Sequence, residues 1–444
     1  MENNILLTGN INGLFRKFVV PSMIAMLITG IQGMIDGLFA GNLLGANAMA
    51  GINMAMPFLQ LIVALSMIVS IGAQSYMGIS LGENNVQDAQ DGFKTSIIFI
   101  IVVGLMITIF GLVFNRQIAL TLGANAVLLP YVSSYIIAIS IIAVPASLSF
   151  LFAFSTRMIE KPEKYFYGTI VSLIVNISLN YLFLAKFKWG VAGTALATGL
   201  AYTSVLIVVI WDFLKKDSVI NVFDGKFNIS TLKPIIYNGS SEGVNSLSSA
   251  LSAFLFNMAF MQIGGELGVA AFTSISYIAQ FGTILMFGVS DGIGPIISYN
   301  FGSKSYDRME KAIRVSSKAI LFIGICVFCA LFFFGENLVR LFVTELEVVS
   351  LAVGGSKIYA LAFFMNGFNI LFSAYFTSIG NAKNSVIIAA SRGIIFLPIG
   401  IIILPKIFGV PGVWLSVPFA EFITFIIAIR LMIVSKKSMV AISN

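Results

Sequence analysis

The stretch Phe18–Leu44, FVVPSMIAMLITGIQGMIDGLFAGNLL, is apolar except for one carboxylate, Asp36, set among glycines. The run is longer than the roughly 20 residues a helix needs to cross a bilayer. An aspartate at the centre of a membrane helix costs about 2.5–3.5 kcal/mol on insertion scales. A chain that keeps a charge there either shields it from lipid or uses it. Similar runs recur from end to end: 58% of the 444 residues are hydrophobic and only 10% are charged, and the mean hydropathy is +0.98. A soluble chain carries about 25% charged residues, and a porin-like barrel would show short alternating strands. The fold class read from these runs is an all-α polytopic membrane protein.

Breaks at charged or Gly/Asn-rich points divide the chain into twelve spans, at about 18–42, 52–80, 95–114, 130–155, 166–185, 190–213, 236–262, 270–299, 315–335, 351–379, 385–405 and 410–434. Arginine and lysine then set direction. Counting alternate segments puts 20 basic residues on one side, among them Lys94, Arg157, Lys161 and Arg392, and 6 on the other, Arg116, Lys186, Lys188, Arg340, Lys357 and Lys406. Basic residues concentrate on the cytoplasmic side, so both termini and the loop at about 214–235 are expected in the cytoplasm. The excess of positive charge, +7 overall, follows topology and gives no reason to expect a nucleic-acid partner.

A repeat covers the chain. SIGAQSYMGISLGENN from Ser70 aligns with SDGIGPIISYNFGSKS from Ser290, matching Ser70 with Ser290, Gly72 with Gly292 and Gly82 with Gly302. LGANAMA from Leu44 answers LGVAAFT from Leu267, and GVAG at 190–193 answers GVPG at 409–412. The same order in both halves predicts an N-terminal lobe at 1–213, an inter-lobe loop at 214–235 and a C-terminal lobe at 236–444. Six spans in each make the lobes enter from the same side, related by a pseudo-two-fold axis along the membrane normal, with rocking access between them.

At 100° per residue, Thr29, Gln32 and Asp36 lie within about 60° of one another on the first span. Gly33, Gly37 and Gly41 form a G-x-x-x-G ladder on a neighbouring face, the pattern of a helix-packing surface. The fifth span carries Thr169, Ser172, Asn176 and Asn180, and the sixth carries Thr194, Thr198 and Tyr202. None of these stripes faces lipid cheaply. If the three spans converge, Asp36 meets two amides and a hydroxyl in a protein-lined pocket. That donor set suits Na⁺, and the same carboxylate, partly desolvated, suits H⁺. The simpler alternatives are a wetted carboxylate near a helix end and amides that tie helices together. Glu242 and Asp291 fall within later spans and either face a cavity or stabilise helix ends; Glu421 reads as structural. Pro21 lies 15 residues before Asp36, about 22 Å along the helix axis, and is a hinge candidate.

Histidine is absent, which removes Ser-His-Asp and Cys-His catalysis and the usual zinc and haem ligands. Cys326 and Cys329 share one apolar span and suggest packing. No short h-region with a cleavage site follows the N-terminus, so Phe18 onward reads as a retained helix.

These features together resemble the multidrug and toxic compound extrusion (MATE) family. The likeness rests on VPSMIAMLITGIQGMIDGLFAGNLLGANAMAG (20–51), NISLN (176–180) with GVAGTALAT (190–198), NGSSE (238–242) and DGIGPIISYNFG (291–302). It implies a cation-coupled antiporter, not an enzyme, that needs no cofactor beyond its coupling ion. H⁺ or Na⁺ entering would drive out amphipathic, mostly cationic compounds by alternating access across the cell membrane. The family's cation site matches Asp36, Asn176, Asn180 and Thr198, with Thr194 a further contributor. Gln32, Thr29, Glu242 and Asp291 are cavity candidates, and the bending of the first helix points to Pro21. Many relatives carry a second carboxylate where this chain has Asn180, which leaves the choice of ion open. Family members act as monomers. The competing readings are an exporter or flippase of lipid-linked saccharides from a related two-lobed superfamily, a membrane-embedded enzyme, and a channel or passive scaffold. The first would want Lys and Arg inside the membrane, where this chain places acids.

Overall fold

The computed structural model describes residues 4–340 and 345–443 and is helical, with no strand among the described residues. Ten helices are each long and apolar enough to cross a membrane, and two bent pairs bring the candidate spans to twelve. In chain order they are α1 (Ile11–Leu44), α2 (Ala46–Gly82), α3 (Val86–Thr121), α4 (Leu129–Ile141 with Ala143–Ser155), α5 (Pro162–Lys186) and α6 (Gly190–Phe213). The second half supplies α7 (Ile229–Gln262), α8 (Gly265–Gly302), α9 (Tyr306–Phe333), α10 (Leu346–Ala360 with Phe363–Ser378), α11 (Ala382–Phe408) and α12 (Val410–Met439).

Two of the spans are broken, one of them near a proline, Pro145, that invites a kink. α4 bends by 54° at Ile142, whose N–H turns back to the carbonyl of Ile139 at 3.2 Å. The cause is three residues downstream. Pro145 has no N–H to offer the carbonyl of Ile141, and its ring crowds that carbonyl. α10 bends by 51° through a tight turn in which the N–H groups of Leu361 and Ala362 reach Ile358 and Tyr359 at 3.2 and 3.0 Å. The local sequence IYALAFFM, 358–365, holds neither proline nor glycine, so nothing in it marks this bend.

Three widened, π-type segments interrupt the spans, at Phe15–Val19, Tyr181–Lys186 and Ser391–Phe396. The first and third precede Pro21 and Pro398, which withhold the donors that the carbonyls of Lys17 and Ile394 would take. The second begins directly after Asn180.

The described chain forms two compact units. One holds Ile24–Gly239 and the residues up to Thr8; the other holds Gly9–Met23 and the chain from Ser240 onward. The first turns of α7 therefore belong with the first unit, and the start of α1 with the second. The repeat glycines explain this. In the first unit a Cβ on Gly72 would strike the backbone carbonyl of Ile235, and one on Gly239 would strike that of Ile68. In the second, a Cβ on Gly292 would lie 2.6 Å from Val19 Cα, and one on Gly288 would lie 2.5 Å from Met23 Cα. The matched pair Gly72 and Gly292 thus lets α2 take the start of α7, and α8 the start of α1, at backbone contact.

The loop before α7 is pinned to the start of α3. Gln90 Nε2 donates to the carbonyl of Val219 at 3.1 Å, Lys94 Nζ to that of Val222 at 2.7 Å, and Asp91 Oδ1 accepts from the N–H of Lys226 at 2.8 Å. The glycine ladder of α1 is not the packing surface its spacing suggests. Gly33 and Gly37 have open space where a Cβ would stand, and Gly41 meets Met49 Sδ at 3.4 Å.

Candidate functional site

α1, α5 and α6 converge on Asp36 within the first unit. Its Oδ1 accepts from Asn176 Nδ2 at 2.8 Å and from Asn180 Nδ2 at 2.7 Å, and its Oδ2 accepts from the Thr198 hydroxyl at 2.9 Å. Spacings of four on α5 and α6 stack these groups on single helix faces, one turn apart. The two asparagines are 0% exposed and Thr198 4%, while Asp36 itself is half-buried. Asp36 makes no ion pair among the described residues; its charge is met by three donors alone.

The same groups leave acceptors unused. Asn176 Oδ1, Asn180 Oδ1 and Thr194 Oγ are buried without a hydrogen-bond partner. Buried polar atoms are normally satisfied, and these three are not. The Thr198 hydroxyl also lies 3.0 Å from the carbonyl of Thr194. It has one proton and serves one acceptor at a time.

One turn before Asp36, Gln32 Oε1 accepts from the Ser172 hydroxyl at 3.2 Å, and Gln32 is 4% exposed. Thr29 is not drawn into this network, for its hydroxyl donates to the carbonyl of Ala25 on its own helix at 3.0 Å. Pro21 follows the widened segment Phe15–Val19.

In the second unit, Glu242 and Asp291 line one small cavity of about 20 Å³ with Asn245, Ser290, Ser373 and Arg392. Asn245 Nδ2 donates to Glu242 Oε1 at 3.3 Å. Arg392, counted from sequence among the cytoplasmic basic residues, lies inside α11, about 15 Å along the helix from its start. There its Nε meets Glu421 Oε1 at 2.9 Å. Asp212, at the end of α6, also went unread. Its side chain is 6% exposed and sits 2.6 Å from Lys161 Nζ, 3.5 Å from Lys164 Nζ and 3.6 Å from Lys215 Nζ.

A family model, MatE, matches residues 21–182 and 243–402, most of each half. The chain belongs to the MatE family. MatE proteins are membrane transporters, and this chain is one, not an enzyme. Multidrug export protein MepA of Staphylococcus aureus (strain bovine RF122 / ET3-1) is 27% identical to it over 406 residues, covering 91% of this chain and 89% of that protein. The MepA of Staphylococcus haemolyticus (strain JCSC1435) is 26% identical over 407 residues. A crystal structure of MATE in complex with MaL6 superimposes with a TM-score of 0.92 over 98% of both chains at 21% identity. So does the outward-facing conformation of a multidrug resistance MATE family transporter of the MOP superfamily, at 0.92 over 99% of both chains and 21% identity. At that identity the likeness is one of fold: two lobes of membrane-spanning helices.

Two signals for what the sequence reading missed were present. Asn366 and Asn369, whose side-chain amides donate to Glu421 at 2.8 and 2.7 Å, are spaced three apart on an apolar span, as inward-facing amides are. Arg392 lies between long apolar stretches, where a cytoplasmic arginine has no place.

Proposed function

We propose that this MatE transporter exports amphipathic, mostly cationic compounds in exchange for Na⁺ or H⁺, and that Asp36 is the seat of the exchanging ion. The observation that carries the reading is a single carboxylate with no ion pair among the described residues, met by three neutral donors, two of which, Asn176 and Asn180, keep buried, unpartnered amide oxygens. Asn176, Asn180 and Thr198 hold the charge of the carboxylate. A proton would convert one carboxylate oxygen from acceptor to donor, and one of the three donors would have to let go. Na⁺ would be bound by Asp36, Thr194, Thr198 and the two asparagines after rotation of their amides, which exchanges donor for acceptor. Either ion neutralises the pocket.

Gly33 and Gly37 flank Asp36 along α1, each with open space where a Cβ would stand. In this reading they give the ion its way to the carboxylate. Pro21 lets the first helix bend as the site changes sides. Gln32, Glu242 and Asp291 are placed to meet cargo, and the acids suit a positive charge. The transporter works in the cell membrane with twelve spans, both termini in the cytoplasm, and acts as a monomer. Arg392, which lines the cavity with these acids, is paired with Glu421, so that cavity offers little to the phosphates of a lipid-linked saccharide.

The test is to reconstitute the protein and impose Na⁺ and H⁺ gradients separately while following an ethidium-like dye. Dye gathered against its gradient under one or both is expected. Equilibration alone, whichever gradient is imposed, would leave a channel or scaffold in place of an antiporter.

A further inference from the structure

The second unit contains another carboxylate cradle, built from similar parts to the first. Glu421, on α12, is 3% exposed. Asn366 Nδ2 donates to its Oε1 at 2.8 Å, and Asn369 Nδ2 donates to its Oε2 at 2.7 Å and to its backbone carbonyl at 2.9 Å. The amide oxygens of both asparagines are buried without a partner, as is the hydroxyl of Thr424, one turn farther along α12. Both carboxylates take two asparagine amides whose oxygens are orphaned, and each cradle has an orphaned threonine hydroxyl one helical turn from one of its members. The hydroxyl that Thr198 donates to Asp36 has no counterpart at Glu421, where a cation stands instead.

One component differs. Arg392 Nε lies 2.9 Å from Glu421 Oε1, with its side chain 25% exposed. A guanidinium keeps its proton at any physiological pH, and a tethered cation cannot diffuse away. Arg392 sits in the widened segment Ser391–Phe396 of α11, and it also lines the small cavity that holds Glu242 and Asp291. It therefore has acids on more than one side.

We propose that the Glu421 cradle is a second monovalent-cation site, closed by a built-in cation: Arg392 occupies the place that a mobile ion takes at Asp36, so that one ion per cycle exchanges. The comparison with Asp36 rests on the function proposed above; the claim about Glu421 is testable without it. Removing the arginine should expose a charged carboxylate, two amide oxygens and a hydroxyl, a donor set for Na⁺ or a seat for a proton.

The experiment uses the purified full chain with Asp36→Asn as background, which removes the first carboxylate. Equilibrium binding of ²²Na⁺ and the infrared carboxyl stretch across neutral pH are both measured. The background chain, in which Glu242, Asp291 and the exposed acids remain, sets the baseline for both a saturable Na⁺ site and a titrating carboxyl. Adding Arg392→Gln should create one or the other, and adding Glu421→Gln to that should abolish it. Arg392→Lys should behave as the background, since an ammonium still fills the site. Should Arg392→Gln fail to fold, Arg392→Met keeps the packing of the stem. The pair Arg392→Gln with Glu421→Gln leaves no unpaired charge, and so controls for folding. A folded Arg392 variant with neither new Na⁺ binding nor a new titrating carboxyl overturns the proposal, as does a new site that survives Glu421→Gln. Wild-type protein that behaves as Asp36→Asn would count against the Asp36 reading and leave the Glu421 result standing.

Discussion

Drive the reconstituted transporter with a tenfold ion gradient and let it work on a singly charged cationic dye until accumulation stops. Asp36 is a lone carboxylate with three neutral donors, and Glu421 already holds Arg392. One mobile charge then exchanges for one cationic cargo, and no net charge crosses the membrane. The potential drops out of the balance. The tenfold gradient supplies about 1.4 kcal/mol, which sustains a dye gradient of about tenfold and no steeper. A neutral analogue of the dye behaves differently, because each cycle now moves one net charge. A potential of 100 mV adds about 2.3 kcal/mol, or roughly a further fifty-fold, so the ceiling rises to about 500-fold. The assay is end-point accumulation in proteoliposomes with the potential clamped by potassium and valinomycin, for both dyes at each potential. Accumulation of the monocation to about a hundredfold would mean two ions per cycle and refute the single-seat argument. So would voltage dependence of the monocation.

Three further outcomes follow from named contacts. Asn180→Asp puts a second carboxylate where the amide now lies 2.7 Å from Asp36 Oδ1; two such charges need a cation or proton between them. The half-maximal Na⁺ concentration for transport should fall by about tenfold or more, equivalent to about 1.4 kcal/mol, and an unchanged value would remove that argument. Gly72→Val places side-chain atoms into the backbone carbonyl of Ile235, which has no rotamer to yield. The variant should fail to accumulate in the membrane, as judged by detergent-extracted monodisperse protein, and normal yield would contradict the packing account. Pro21→Ala returns a donor to the carbonyl of Lys17 and gains up to about 3 kcal/mol of helix propensity. It should raise the melting temperature and slow turnover; faster transport would count against a hinge.

Much of the fold was legible because lipid leaves the chain few choices. Every backbone group must be paired within a helix, so long apolar runs with charged breaks gave the twelve spans, and α6 begins and ends where those breaks put it. Asp36 with Asn176, Asn180 and Thr198 was legible for a related reason. Polar side chains at spacings of four on three apolar helices have few places to go except towards one another. The matched glycines Gly72 and Gly292 were legible as a repeat, but their use, admitting the start of another helix at backbone contact, requires knowing which helix arrives. The bend in α4 was announced by Pro145, while that in α10 is made by tertiary context alone. Spacing cannot distinguish a glycine face that packs from one that is left open, as Gly33 and Gly37 are. Arg392 was misread because counting basic residues treats each as a loop charge, and a buried carboxylate one helix away is invisible to that count.

The most direct measurement is of ion movement evoked by cargo. Add the dye to one side of proteoliposomes and record Na⁺ and H⁺ flux in the opposite direction, for wild-type protein and for Asp36→Asn at equal reconstituted amounts. Wild-type protein should return about one ion for each dye molecule, and Asp36→Asn should return none. Equal counter-flux from the variant would contradict the account at its centre.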